Sequence, residues 1–257
     1  MPAVVVFVWL PALLWLDRTA SLAEQRVLGL ITWVLLLLLL RRETPLVRMQ
    51  TVVVIVFATA VEYTFAGWLG VYVYRLENVP WFVPPGHGMV YLGALALGRS
   101  TYVRTHLRGL MVAVAVVGGA YTLWGLSPLA PRLDVLGAFW YACLLGFLFF
   151  GRSRALYVGA FVVVTYLEIL GTQVGAWAWQ PHDPTGLVPI GNPPSGAAGG
   201  YGWFDLAAIV AAPYLLTRWY ALTTWYALRT GSEVGGGRLV LSGATPPGDL
   251  GGVEEDA

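Results

Sequence analysis

The sequence contains no lysine and a single cysteine, and only 11% of its 257 residues are charged. The lone Cys143 excludes an internal disulfide and any cysteine-rich metal site. It lies in an apolar run and reads as a small buried residue. Soluble domains carry about a quarter charged residues, so this chain falls outside their range. Its net charge of +1 gives no global field to attract nucleic acid. The chain lacks HExxH, CxxC and clusters of histidine boxes, which argues against zinc proteases and di-iron desaturases. It also lacks GxGxxG and a P-loop, so neither a nicotinamide or flavin fold nor a nucleotide hydrolase is supported. No metal and no cofactor are expected. Chemistry is left to carboxyls, imidazole, hydroxyls and aromatic faces, which suits acid–base reactions.

What the chain does have is apolar length: 58% of its residues are hydrophobic. A membrane-spanning helix needs roughly 20 mainly apolar residues. Eight segments approach that, at about Val4–Leu16, Val27–Leu40, Met49–Trp68, Gly86–Leu97, Leu110–Leu126, Val135–Phe150, Leu156–Trp177 and Phe204–Tyr226. The first begins without a basic leader and reads as a retained helix. All 15 basic residues are arginine, and they alternate between the connecting loops. Arg41, Arg42 and Arg48 follow the second segment, Arg99, Arg104 and Arg108 the fourth, and Arg152 and Arg154 the sixth. Arg218, Arg229 and Arg238 lie at or beyond the inner end of the eighth. Opposite loops hold Arg18 and Arg26, then Arg75, then Arg132. Enrichment of arginine on the cytoplasmic side predicts eight spans with both termini cytoplasmic. The expected fold is an all-α polytopic bundle over residues 1–228, followed by a disordered cytoplasmic tail over 229–257, rich in Gly, Pro and acids. A bacterial plasma membrane is the expected location.

Self-similarity organises the bundle. Thr59 and Glu62 recur 106 residues later as Thr165 and Glu168. Gly70-Val-Tyr72-Val-Tyr74 recurs as Gly175-Ala-Trp177-Ala-Trp179. Val79-Pro80 followed by Pro84-Pro85 recurs as Val188-Pro189 followed by Pro193-Pro194. Three motifs in one order predict two repeats, about 1–108 and 109–228. Four spans separate equivalent residues, so the two four-helix halves are expected to lie parallel in the membrane, as in some transporters.

The repeats carry the candidate site. Glu62 and Glu168 are acids inside apolar helices, where ionisable groups are rare and face the bundle interior. Each is a candidate proton donor or, alternatively, a structural hydrogen-bonding group beside Thr59 or Thr165. Asp205 reads either as a third acid or as a helix-start residue favoured by the dipole. His87, after Pro84-Pro85-Gly86, is a candidate base or proton shuttle or, equally, a helix-start hydrogen-bonding residue. Tyr72 with Tyr74, and Trp177 with Trp179, alternate at spacing two. On an extended segment that places each pair on one face, fit to line a groove for an apolar ligand or to stabilise a cation. Trp203 joins them as a binding candidate, although it also suits an interfacial aromatic belt together with Trp68 and Trp81. Asn192, before Pro193-Pro194, is a candidate for positioning water.

The Glu-bearing helix with Gly-x-Tyr-x-Tyr and Val-Pro…Pro resembles the first half of the carotenoid biosynthesis membrane proteins that include the carotenoid hydratases. Gly-x-Trp-x-Trp with Val-Pro-Ile-Gly-Asn192 and Gly202-Trp203-Phe204 resembles their second half. The resemblance covers about Glu62–Val90 and Glu168–Asp205. It implies a lipid-embedded enzyme acting on the end group of a long isoprenoid by hydration, cyclisation or isomerisation. In that scheme Glu62 or Glu168 protonates a terminal double bond, the Tyr and Trp faces stabilise the cation, and His87 or Asn192 directs water. The expected partners are an apolar lipid substrate and the bilayer. A proton-coupled transporter or lipid carrier, and a non-catalytic membrane scaffold, remain open beside the enzyme.

Overall fold

In a computed structural model the described residues are 2–230, so most of the expected tail lies outside them. The chain divides into a compact unit, Met1–Leu216, and a second, Thr217–Ala257, whose described residues are the last part of the final helix. The helices are α1 (Pro2–Asp17), α2 (Leu22–Leu40), α3 (Pro45–Glu62), α4 (Val83–Arg99), the short α5 (Thr101–Thr105), α6 (Leu107–Gly125), α7 (Val135–Phe150), α8 (Arg154–Gln173) and α9 (Ala197–Thr230). α3 continues as a π-helical turn, Tyr63–Trp68. Each of the eight apolar segments falls mainly on one of these helices, the third running on into the π-helical turn and the seventh running past the end of α8.

Among the described residues, five stretches are long and apolar enough to cross a membrane: Leu22–Leu40, Pro45–Trp68, Leu107–Gly125, Arg154–Gln173 and Ala197–Tyr226. Pro2–Asp17 and Val135–Phe150 are apolar but shorter. The molecule is therefore a helical bundle suited to a membrane.

Local signals explain where helices begin. Ser21 caps α2 in a capping box: its hydroxyl accepts from Glu24 N–H while the Glu24 carboxylate accepts from Ser21 N–H at 2.7 Å. Thr44 caps α3, with Pro45 at the first position, where the missing N–H is harmless. Pro84 and Pro85 sit in the first turn of α4 for the same reason, so this helix begins earlier than the apolar run suggests.

The interior is built on α4 and α8, which run antiparallel in backbone contact. A Cβ at Gly159 would lie 2.3 Å from the Ala94 carbonyl oxygen, and one at Gly98 would lie 2.7 Å from that of Ala155. Such small-residue contacts let helices approach closely where lipid removes the hydrophobic drive between them. Around this pair, α2, α3 and α6 bury a narrower face and expose leucines, valines and phenylalanines, including Leu30, Val56 and Val116.

The all-α expectation needs one correction. Two short strands, β1 (Tyr72–Tyr74) and β2 (Trp177–Trp179), pair antiparallel, with Tyr72 opposite Trp179 and Tyr74 opposite Trp177. The ladder is closed at both ends by equivalent bonds, Arg75 N–H to Ala176 C=O at 3.0 Å and Gln180 N–H to Val71 C=O at 2.9 Å. α8 ends at Gln173, so Trp177 belongs to this ribbon and not to the seventh apolar segment. Each strand is entered through a glycine in the left-handed region, Gly70 (φ 62°) and Gly175 (φ 74°). Glycine adopts that conformation without the Cβ penalty.

Candidate functional site

The ribbon folds each glutamate back onto the aromatic pair of its own motif. Glu62 ends α3, and its Oε2 accepts hydrogen bonds from the hydroxyls of Tyr72 and Tyr74, both at 2.8 Å. Glu168 lies in α8, and its Oε2 accepts from the indole N–H groups of Trp177 (3.1 Å) and Trp179 (3.2 Å). Spacing two on a strand puts both side chains of a pair on one face, which is what lets both reach one carboxyl. Thr59, the neighbour suggested by spacing, makes no hydrogen bond through its buried hydroxyl.

The two carboxyls then differ. Glu62 Oε1 lies 2.9 Å from His87 Nε2, and Glu62, His87 and Glu168 are only 5–6% exposed. The motif position equivalent to His87 is Gly196, counting from the paired prolines. A Cβ there would lie 2.1 Å from the Gly137 carbonyl oxygen, so no side chain fits. Glu62 has an imidazole partner and Glu168 has none in that place. His87 Nδ1 is buried without a partner. When a carboxylate accepts from one ring nitrogen, the proton is fixed there and the other nitrogen is free to accept.

These groups line one cavity of about 310 Å³. Of the ten expected site residues, eight are on its wall: Glu62, His87, Glu168, Tyr72, Tyr74, Trp177, Trp179 and Trp203. Apart from Tyr201, the rest of the wall is apolar, including Leu10, Leu13 and Leu14 of α1, Phe57 and Val61 of α3, Val90 of α4 and Leu167 of α8. Aromatic contacts weld the ribbon side: Tyr72 to Trp179 at 4.4 Å between ring centroids, Tyr74 to Trp177 at 6.2 Å, and Trp179 to Trp140 at 5.6 Å. Burial first, and then the Glu62 carboxylate, pushes the Tyr72 and Tyr74 phenols well above their ordinary range. Both therefore stay donors to Glu62.

Two expected residues are elsewhere. Asn192 uses its side-chain oxygen to accept the Trp179 backbone N–H at 2.9 Å. It holds β2 in place and borders a separate groove of about 440 Å³ between α6 and α8 that contains no carboxyl or imidazole. Asp205 does not begin a helix. It lies within α9, buried, with Oδ2 unpartnered, off the cavity wall and in electrostatic contact with Tyr91 and Tyr157.

Three contributors were not expected. Tyr201 lines the cavity and stacks on His87 at 5.2 Å. Trp140 closes the wall behind Trp179. Asp134 is buried and accepts three backbone N–H bonds, from Gly137 (3.0 Å), Gly191 (2.9 Å) and Ser195 (2.6 Å), which pins the loop after β2 to the start of α7. Only Asp134 carried a local signal, as an acidic N-cap before an apolar run. Arg132 adds a 2.7 Å bond to the Trp179 carbonyl. Among the described residues no three His, Cys, Asp or Glu converge as metal ligands.

Compared with known proteins, the chain matches no family model, no curated protein and no solved structure.

Proposed function

We propose that the chain is an integral membrane enzyme that performs acid–base chemistry, without a cofactor, on the unsaturated end of a long isoprenoid-type lipid. The observation that carries this reading is the pair of unlike buried carboxyls facing one apolar cavity: Glu62 bonded to His87 and two phenols, Glu168 bonded to two indoles. Environments that treat two equivalent acids differently are how one site obtains both an acid and a base.

Each proton has a place. The Tyr72 and Tyr74 hydroxyls donate to Glu62, and His87 does so in the tautomer with its proton on Nε2, which suits a carboxylate. Trp177 and Trp179 both donate to Oε2 of Glu168, and the Tyr201 phenol also meets this carboxyl. In this scheme the other oxygen carries the proton, which burial favours. Glu168 gives that proton to one carbon of a terminal C=C, and the π pair forms the new C–H bond. The cation left on the neighbouring carbon faces the aromatic wall and the Glu62 carboxylate. Water then adds, or a second C=C of the same chain closes a ring, and the proton lost in that step goes to His87 Nδ1. Glu62 holds the resulting imidazolium. Transfer of a proton back to Glu168 completes the cycle.

The same reading takes the chain as eight spans in two parallel four-helix repeats, in a bacterial plasma membrane, with both termini cytoplasmic. The alternating arginines and the quasi-twofold ribbon, in which each half supplies one strand and one acid, support it. The resemblance to the carotenoid hydratase group points to the same substrate class. A proton-coupled lipid carrier is the alternative that also uses both acids. The test is conversion of a linear carotenoid in cells that accumulate it. Wild-type protein gives a hydrated or cyclised product, and neither Glu168→Gln nor His87→Phe does. Product formation undiminished in both variants rules out the proposed chemistry.

A further inference from the structure

The cavity is too small for the whole ligand of the preceding reading, on which this inference rests. Its volume of about 310 Å³ is at the lower end of the roughly 300–1,000 Å³ of small-molecule pockets. A long apolar chain with its end beside Glu168 must leave the rest of its length outside, and the wall shows where. Three cavity-lining aromatics are also substantially exposed: Phe57 (39%), Phe65 (37%) and Trp203 (48%). They belong to two stretches, Pro45–Trp68 and Ala197–Tyr226, that are long and apolar enough to cross a membrane. The mouth therefore lies between two stretches suited to cross a membrane, on faces that lipid would contact.

Its construction follows from the sequence. Phe57, Val61 and Phe65 recur every fourth residue, so they lie on one face of the helix. The π-helical turn that begins at Tyr63, directly after Glu62, carries Phe65 at the end of that face. π-turns of this kind are frequent at functional sites. On the opposite side, Phe204 of α9 meets Phe57 edge to face, with centroids 5.3 Å apart. Phe204 also stands edge-on to His87 at 5.5 Å. One ring thus touches both the gate and the base.

We infer that the ligand enters sideways from the bilayer through a portal between α3 and α9, flanked by Phe57 and Phe204, with its reacting end inside and its tail lying in lipid. Parting those two rings widens that opening. The occupant is a linear apolar chain with a slim end, since any rigid body wider than the portal stays outside.

The test uses full-length protein in lipid nanodiscs, with Cys143→Ser as background and tritiated geranylgeraniol as probe. Phe57→Cys and Phe204→Cys are introduced together and joined by a bifunctional maleimide. The single-cysteine proteins treated with the same reagent are the controls, and the Trp177→Ala/Trp179→Ala protein sets the nonspecific background. Bridging after loading should trap the probe, slowing its release about tenfold or more, and bridging before loading should slow uptake equally. Phe57→Ala should speed both. Release and uptake unchanged by the bridge overturn the portal while leaving binding, and the proposed function, intact. Displacement of the probe by the bridge also overturns it, because the linker then fills the cavity instead of closing its mouth. Absence of specific binding in the unbridged protein overturns the function reading and the portal together.

Discussion

His87 Nε2 lies 2.9 Å from Glu62 Oε1, and both side chains are buried. This contact separates two otherwise equivalent acids. It occupies one imidazole nitrogen and leaves Nδ1 buried without a protein partner. A buried nitrogen without a partner is a standing cost unless a ligand or water meets it. The pairing therefore favours a cavity that works when filled.

Glu62→Gln should destabilise as well as inactivate. The amide would set its own N–H groups against at least one of three donors, and one unsatisfied buried donor costs about 1–3 kcal/mol. The thermal midpoint in detergent should fall. Glu62→Asp, which keeps the charge on a shorter arm, should recover part of that loss. An unchanged midpoint for Glu62→Gln contradicts the three-donor arrangement.

Tyr72 and Tyr74 have phenol groups raised well above their ordinary range by burial and by Glu62. A group whose folded value is raised contributes stability that is complete below the unfolded value, near 10, and is lost as pH rises through the folded value. Exposed tyrosines ionise first. Ultraviolet titration up to about pH 10.5 should therefore give the same tyrosinate amplitude for wild type and for Tyr72→Phe/Tyr74→Phe. A smaller amplitude in the variant shows that these phenols ionise early, against the account.

Gly171 lies under Trp177: a Cβ there would fall 2.0 Å from the indole ring. Gly171→Ala should push the ring off Glu168 and break the 3.1 Å N–H bond. Ligand binding and activity should both drop while the helical content by circular dichroism stays constant. Full activity in Gly171→Ala indicates that the indole donors are dispensable.

Asp134→Ala removes the acceptor for three backbone N–H groups, and Asp134→Asn keeps a weaker one. The alanine variant should lose about 3 kcal/mol, consistent with leaving several buried donors unpaired. Hydrogen exchange at Gly191 and Ser195 should accelerate by orders of magnitude. Protection at those amides equal to wild type refutes the pinning role.

Much of the site was legible because its residues are conspicuous in an apolar setting. Glu62, Glu168 and the spacing-two aromatic pairs stand out against long hydrophobic runs, and recurrence in the same order ties them together. Their partners were not legible. The pairing of β1 with β2 spans about a hundred residues and leaves no local trace. Without it Thr59 seemed the natural neighbour of Glu62. Tyr201 and Trp140 are single aromatics among many, and only the packing of α9 and α7 brings them to the cavity. Asn192, before Pro193-Pro194, read as a candidate for positioning water, whereas its side-chain oxygen accepts from the backbone N–H of Trp179. Asp205 read as a third acid or a helix-start residue because the apolar run begins at Phe204, just after the glycine-rich stretch. Close packing of Gly196 and Gly199 against α7 carries α9 through that stretch instead.

The most direct measurement of the central claim is mass spectrometry of the apolar molecules that copurify with the protein in mild detergent, for wild type and for Trp177→Ala/Trp179→Ala. A long unsaturated isoprenoid present in wild type and lost from the variant is the predicted result, and its end-group structure would name the reaction. A wild-type preparation carrying no such molecule, or carrying it in equal amount in the variant, contradicts the account.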